Sequence, residues 1–146
     1  MKRYMLAIAA TFTLQAAQAD TLEKIKKSGT ITLGVRDSSG ALSYTVGGGT
    51  YLGFHTEMAQ RVAADVQGRL GLSRLEVRFQ PVTSANRMPL VLDGTVDLEC
   101  GSTTNNAARQ EYVAFAVTTY VEEVRIATRA DSGILSVKDL AGKTIA

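Results

Sequence analysis

From residue 21 onward, apolar and polar positions alternate in short blocks. In Thr21 to Gly29, Leu22 and Ile25 mark one apolar face, and Lys26 and Lys27 suit the negative end of a helix dipole. The segment therefore predicts a short amphipathic helix stopped by Gly29. Thr30 to Val35 is apolar and β-branched, a strand, and Arg36 to Gly40 follows as a polar loop. Apolar residues at 54, 58, 62, 66 and 70 predict an amphipathic helix that Gly71 ends. Gly47-Gly48-Gly49 reads as a hairpin or loop tip. Leu75, Val77 and Phe79 alternate with polar neighbours, giving a second strand.

Thr83 to Asn86 offers N-cap residues for a short helix through Leu92, with Pro89 in the first turn, where a missing N–H is tolerated. Gly94 closes it, and Val96 to Glu99 is a third strand. A run of small hydroxyl and amide residues follows, Gly101 to Asn106, and a helix is expected to start near Asn106 with Arg109 in its first turn. Tyr120 to Thr128 reads as a later strand, Ser136 to Leu140 as one capped helical turn, and Lys143 to Ala146 as a strand just begun.

Strands and helices alternating over short connections indicate an α/β fold with a mostly parallel sheet. Such sheets bind ligands at the carboxyl ends of their strands. Three polar clusters follow three successive strands: Arg36, then Ser84 with Arg87, then Ser102 to Arg109. Hydroxyls, helix-start N–H groups and guanidiniums at one sheet edge are suited to gripping carboxylates.

The first residues change the compositional picture. Lys2 and Arg3, an apolar Tyr4 to Leu14 and Ala17-Gln18-Ala19 have the form of a cleavable secretory signal over residues 1–19, too short to span a bilayer. The chain carries 16 Lys+Arg and 14 Asp+Glu, and the signal holds two of the former and none of the latter. Residues 20–146 are therefore electrically balanced, which gives no support to a nucleic-acid or anionic-membrane partner. Cys100 is the single cysteine, and His55 the single histidine. An odd cysteine in an exported protein leaves open an intermolecular bond, a reactive thiol or a partner elsewhere. A catalytic thiol needs a nearby base, and His55 is distant in sequence. His55, next to the apolar Phe54, is expected at the surface. No ligand cluster points to a metal, and no cofactor motif is present.

The stretch Thr83-Ser84-Ala85-Asn86-Arg87, then Asp93 to Asn106, then Arg109-Gln110, resembles the family-3 solute-binding proteins of amino-acid ABC transporters. The likeness is greatest to their glutamate/aspartate-binding branch, and Leu22 to Arg36 and Asp139 to Lys143 fit it too. The resemblance implies a type II periplasmic-binding-protein-like fold of two α/β lobes closing over one amino acid. It implies lobe one over residues 20–129, including the first crossing strand, the start of lobe two over 130–146, and the rest of lobe two beyond. Arg109 is then expected at the ligand's α-carboxylate, with Ser102 and Thr104 adding hydroxyl and backbone contacts. Arg36, Ser84 and Arg87 are expected to clamp a side-chain carboxylate. The bland alternative is that Arg36 and Arg87 pair with Asp37 or Glu99 at a solvated edge. Cys100 is expected to bond a cysteine in the other lobe.

The implied function is a periplasmic, monomeric, non-enzymatic receptor that delivers L-glutamate or L-aspartate to a membrane permease. A same-fold periplasmic enzyme, the sensor lobe of a membrane kinase and a fragment without binding activity are the competing readings. An acid/base residue in the cleft, a downstream transmembrane helix, or titration with acidic amino acids separates them.

Overall fold

The computed structural model describes residues 21–123 and 125–144. The signal expected over 1–19 and the last two residues of the strand expected from Lys143 lie outside them. The chain divides into two compact units, one through Phe115 and one from Ala116.

The first unit opens with helix α1 (Thr21–Ser28) and strand β1 (Thr30–Val35). Strands β2 (Tyr44–Gly47) and β3 (Thr50–Leu52) form an antiparallel hairpin around the triglycine tip. Helix α2 (Phe54–Arg69) and strand β4 (Glu76–Pro81) follow. Helix α3 (Arg87–Leu92), strand β5 (Leu98–Glu99) and helix α4 (Ala107–Gln110) complete the unit. The second unit contains one turn of 3-10 helix, Val137–Leu140, closed by a reciprocal Ser136–Asp139 capping box.

Strands β4, β1 and β5 form a parallel sheet in that order. β1 is central, and Leu33 faces Phe79 on one side and Leu98 on the other. Ile25, Ile31, Leu33, Ala59 and Ala63 form the buried core beneath, with Leu75, Phe79 and Cys100 packed against it. Asp97, its side chain 2% exposed, accepts from Thr32 N (2.8 Å) and pairs with Lys24 (2.8 Å), which fastens α1 to the start of β5.

Four expectations need correction. α2 buries His55, Thr56, Ala59 and Ala63 and packs Val66 and Leu70 of the expected face against the core, whereas Phe54 and Val62 are exposed. Small residues allow the helix to approach the sheet closely, and Thr56 carries its hydroxyl inward because Ser43 Oγ (3.0 Å) meets it there. His55 is therefore buried at 3% exposure, not at the surface. No strand forms among the described residues of 120–128, since a strand requires a continuous ladder of backbone hydrogen bonds to a second strand. The third strand is also shorter than expected: Val96 is buried and donates to Leu90 O (2.8 Å), so it turns toward α3 before β5 begins.

Candidate functional site

Because the three strands are parallel, their carboxyl ends open on the same edge. At the first, Arg36 leaves β1. Its backbone N–H donates to Ser43 Oγ at 3.0 Å, and that hydroxyl also lies 3.2 Å from Arg36 O. Ser43 is fully buried and so fixes where the arginine departs. The guanidinium reaches across to the end of β4, where Nη1 donates to Val82 O at 3.3 Å. Its Nε is buried and makes no hydrogen bond.

At the second strand end the chain turns sharply into α3. Thr83 N–H donates to Asn86 Oδ1 (2.6 Å) and Asn86 N–H donates to Thr83 Oγ1 (3.2 Å), a reciprocal pair that shapes the turn. Ser84 is exposed within it. Arg87 opens the helix and is only 6% exposed. Its Nη1 has a long hydrogen bond to Ser102 Oγ (3.4 Å) and stands 4.0 Å from Glu99 Oε1.

Glu99 ends β5 at the third. One carboxylate oxygen accepts from Thr103 Oγ1 (2.8 Å), while Oε1 is buried without a hydrogen bond. Gly101 makes room for it, since a Cβ there would collide with Oε1. Further along, Asn106 caps α4 by accepting from Arg109 N–H (3.0 Å). The Arg109 guanidinium donates back to Thr104 O (2.8 Å), which folds the loop over itself.

The charges at this edge act on one another. Burial holds the Arg87 guanidinium below the usual arginine range; the Glu99 carboxylate opposes that shift, and the positive charges of Arg36 and Arg109 add to it. Three guanidiniums thus share a neighbourhood with one buried carboxylate, an excess of positive charge. Burial also lowers the His55 pKa, opposed by Glu99. Burial, with Glu99 adding to it, pushes the Cys100 thiol up to about 11, the opposite of an activated nucleophile.

The structure therefore brings Arg36, Arg87, Ser102, Thr104 and Arg109 to one edge and links Arg87 to Ser102 and Arg109 to Thr104. Ser84 shares the edge but stays outside this set of contacts. The expected Arg87–Glu99 alternative is present in a different form: both side chains are buried, at 7% and 9% exposure, so the pair is not a solvated one. Sequence reasoning missed Ser43 as the anchor of Arg36 and Gly101 as the space for Glu99. Glu99 is expected from sequence only as a solvated partner of Arg87, and its burial comes from the fold. Among the described residues no group of His, Cys, Asp and Glu gathers to hold a metal, and no helix is long and apolar enough to cross a membrane.

Residues 31–141 match the bacterial extracellular solute-binding proteins, family 3. An L-glutamate/L-aspartate-binding protein of Pseudomonas aeruginosa is 44% identical over 126 residues, covering 86% of this chain and 42% of that protein. A glutamate/aspartate import solute-binding protein of Salmonella typhimurium is 39% identical over 88% of this chain and 43% of its own length. The crystal structure of a cysteine-binding protein from Campylobacter jejuni resembles the fold with a TM-score of 0.62 at 26% identity, over 82% of this chain and 47% of that one. The chain thus spans less than half the length of these relatives.

Proposed function

Since the chain belongs to the bacterial extracellular solute-binding proteins, family 3, we propose that it carries one side of the ligand site of a periplasmic amino-acid receptor, selective for L-glutamate or L-aspartate. The observation that carries this reading is that Arg36 at the end of β1, Arg87 beyond β4 and Arg109 in the helix beyond β5 bear on one spot, with Arg36 and Arg109 both acting on the buried Arg87 guanidinium. A dicarboxylic amino acid brings two carboxylates, and burying either one unpaired is prohibitive. Planar guanidiniums pair with carboxylates in a two-pronged geometry that a lysine cannot reproduce. In this reading Arg109, Thr104 and Ser102 hold the α-carboxylate, and Arg36, Arg87 and Ser84 hold the side-chain carboxylate. The names of the relatives support the same ligand class.

The protein then acts as a receptor and not an enzyme, handing its amino acid to an ABC permease after export directed by residues 1–19. The structure offers no activated thiol for covalent chemistry, and Cys100 is proposed as a disulfide partner. Backbone amide NMR titrations with glutamate, aspartate and glutamine, which read binding even at millimolar affinity, test the reading. Shifts centred on Arg36, Arg87 and Arg109 are expected with both acidic ligands, and glutamine should bind at least about tenfold more weakly. Arg109→Lys should weaken glutamate binding by about tenfold through loss of the planar fork. Equal affinity for glutamine, or no shifts with any of the three, overturns it.

A further inference from the structure

We propose that Glu99 is an internal counter-ion for Arg87, competing with a ligand carboxylate for the same guanidinium. The inference rests on reading Arg87 as a carboxylate partner and adds a residue to that site.

The geometry is that of a pair held close but not locked. Both side chains are more than nine-tenths buried, yet Nη1 and Oε1 stand 4.0 Å apart, beyond hydrogen-bond reach. Oε1 has no hydrogen-bond partner, and the other donor contact of Arg87, to Ser102, is long at 3.4 Å. The arginine is therefore neutralised in charge without being committed in geometry. A bidentate carboxylate at the strand ends would give it the short bonds that Glu99 does not.

Glu99 is built into this place. Thr103 holds its other oxygen at 2.8 Å, and β5 fixes its backbone against Gly34 of β1. A Cβ at Gly34 would crowd Glu99 Cγ at 3.1 Å, and one at Gly101 would strike Oε1, so two glycines leave the carboxylate its room. Arg36 flanks the same space, with its Cγ 3.6 Å from where a Gly101 Cβ would sit. Without Glu99 the charge of Arg87 would face only the like charges of Arg36 and Arg109. Buried charges left so are strongly destabilising. A ligand carboxylate would relieve that penalty, so neutralising Glu99 should weaken the fold and strengthen carboxylate binding together. A residue that merely positioned Arg87 would weaken both.

The test is a double-mutant cycle on the 146-residue chain in ligand-free buffer, read by thermal unfolding, with Glu99→Gln, Arg87→Met and the two combined. Each single variant should lose at least about 10 °C, because each leaves a buried charge without its opposite. The double variant should lose far less than the sum, and should fold even if Glu99→Gln alone does not. Additive losses overturn the inference. Malonate, used as a dicarboxylate probe, should then raise the midpoint of Glu99→Gln, or restore its folding, by more than it raises that of the unmodified chain. An equal or smaller rise also overturns it. If the cycle shows coupling and malonate acts as expected while neither glutamate nor aspartate binds any variant, the inference stands and the amino-acid reading falls.

Discussion

Burial decides the behaviour of individual side chains here more than residue type does. Cys100 packs against the core, and the cost of a charged sulfur there, increased by Glu99, lifts its pKa to about 11. While Cys100 is free of any disulfide, only roughly a thousandth of it is thiolate at pH 8. Alkylation of the folded protein should therefore be slow at that pH and accelerate about tenfold per pH unit toward pH 11. The sign for stability is opposite. The fold favours the protonated thiol, so this contribution is complete below the ordinary thiol pKa and is lost as pH rises toward 11. Timed iodoacetamide labelling at several pH values, with and without urea, measures both. Labelling of the folded chain as fast as in urea at pH 8 would show that the thiol is not protected. The arginines of the strand ends were legible because a guanidinium after a strand is conspicuous in sequence. Ser43 and His55 were not, because their importance comes from neighbours 7 and 44 residues away that only the folded chain supplies.

At the level of elements, local chemistry carried most of the reading. α1 and β1 were expected where they lie, since a capped amphipathic turn and an unbroken β-branched run each admit few alternatives. The face of α2 was legible only in part: Val66 and Leu70 pack against the core as expected, whereas Phe54 and Val62 are exposed and Ala59 and Ala63 take the fully buried positions. The start of that helix shows a constraint the periodicity could not reveal. Gly53, its N-cap, has φ 117°, and a Cβ there would lie 2.6 Å from Leu42 O. The backbone itself is the obstacle, because Phe54 N–H donates to Ala41 O and His55 N–H donates to Leu42 O across that junction. Gly53→Ala should cost about 2–4 kcal/mol, combining left-handed strain with the clash. Urea unfolding reads the loss, and a variant as stable as the parent would mean that the junction relaxes freely. The same junction carries Ser43, so the substitution should also loosen the backbone of Arg36 and show as shifts in its amide signal.

On the scale of the whole chain, charge separates a small-ligand receptor from a binder of polyanions. Residues 20–146 are balanced, with the two extra basic residues confined to positions 2 and 3. The positive excess is therefore local to the ends of β1, β4 and β5, and part of it is buried, as Arg87 shows at 6% exposure. Surface charges are screened beyond about 10 Å at 0.1 M salt, whereas buried pairs are screened far less. Glutamate affinity should accordingly fall by less than about tenfold between about 50 mM and about 500 mM sodium chloride. A polyanion bound over a basic face behaves differently, because each phosphate contact releases counterions and several contacts together cost about 10³-fold or more over a smaller range. NMR titrations at the two salt concentrations, together with passage over heparin resin at roughly physiological salt, make the comparison directly. Retention on heparin with a steep salt dependence would show that the arginines serve an extended anionic surface. Weak salt dependence with no retention places their charge at a confined site for one small dicarboxylate.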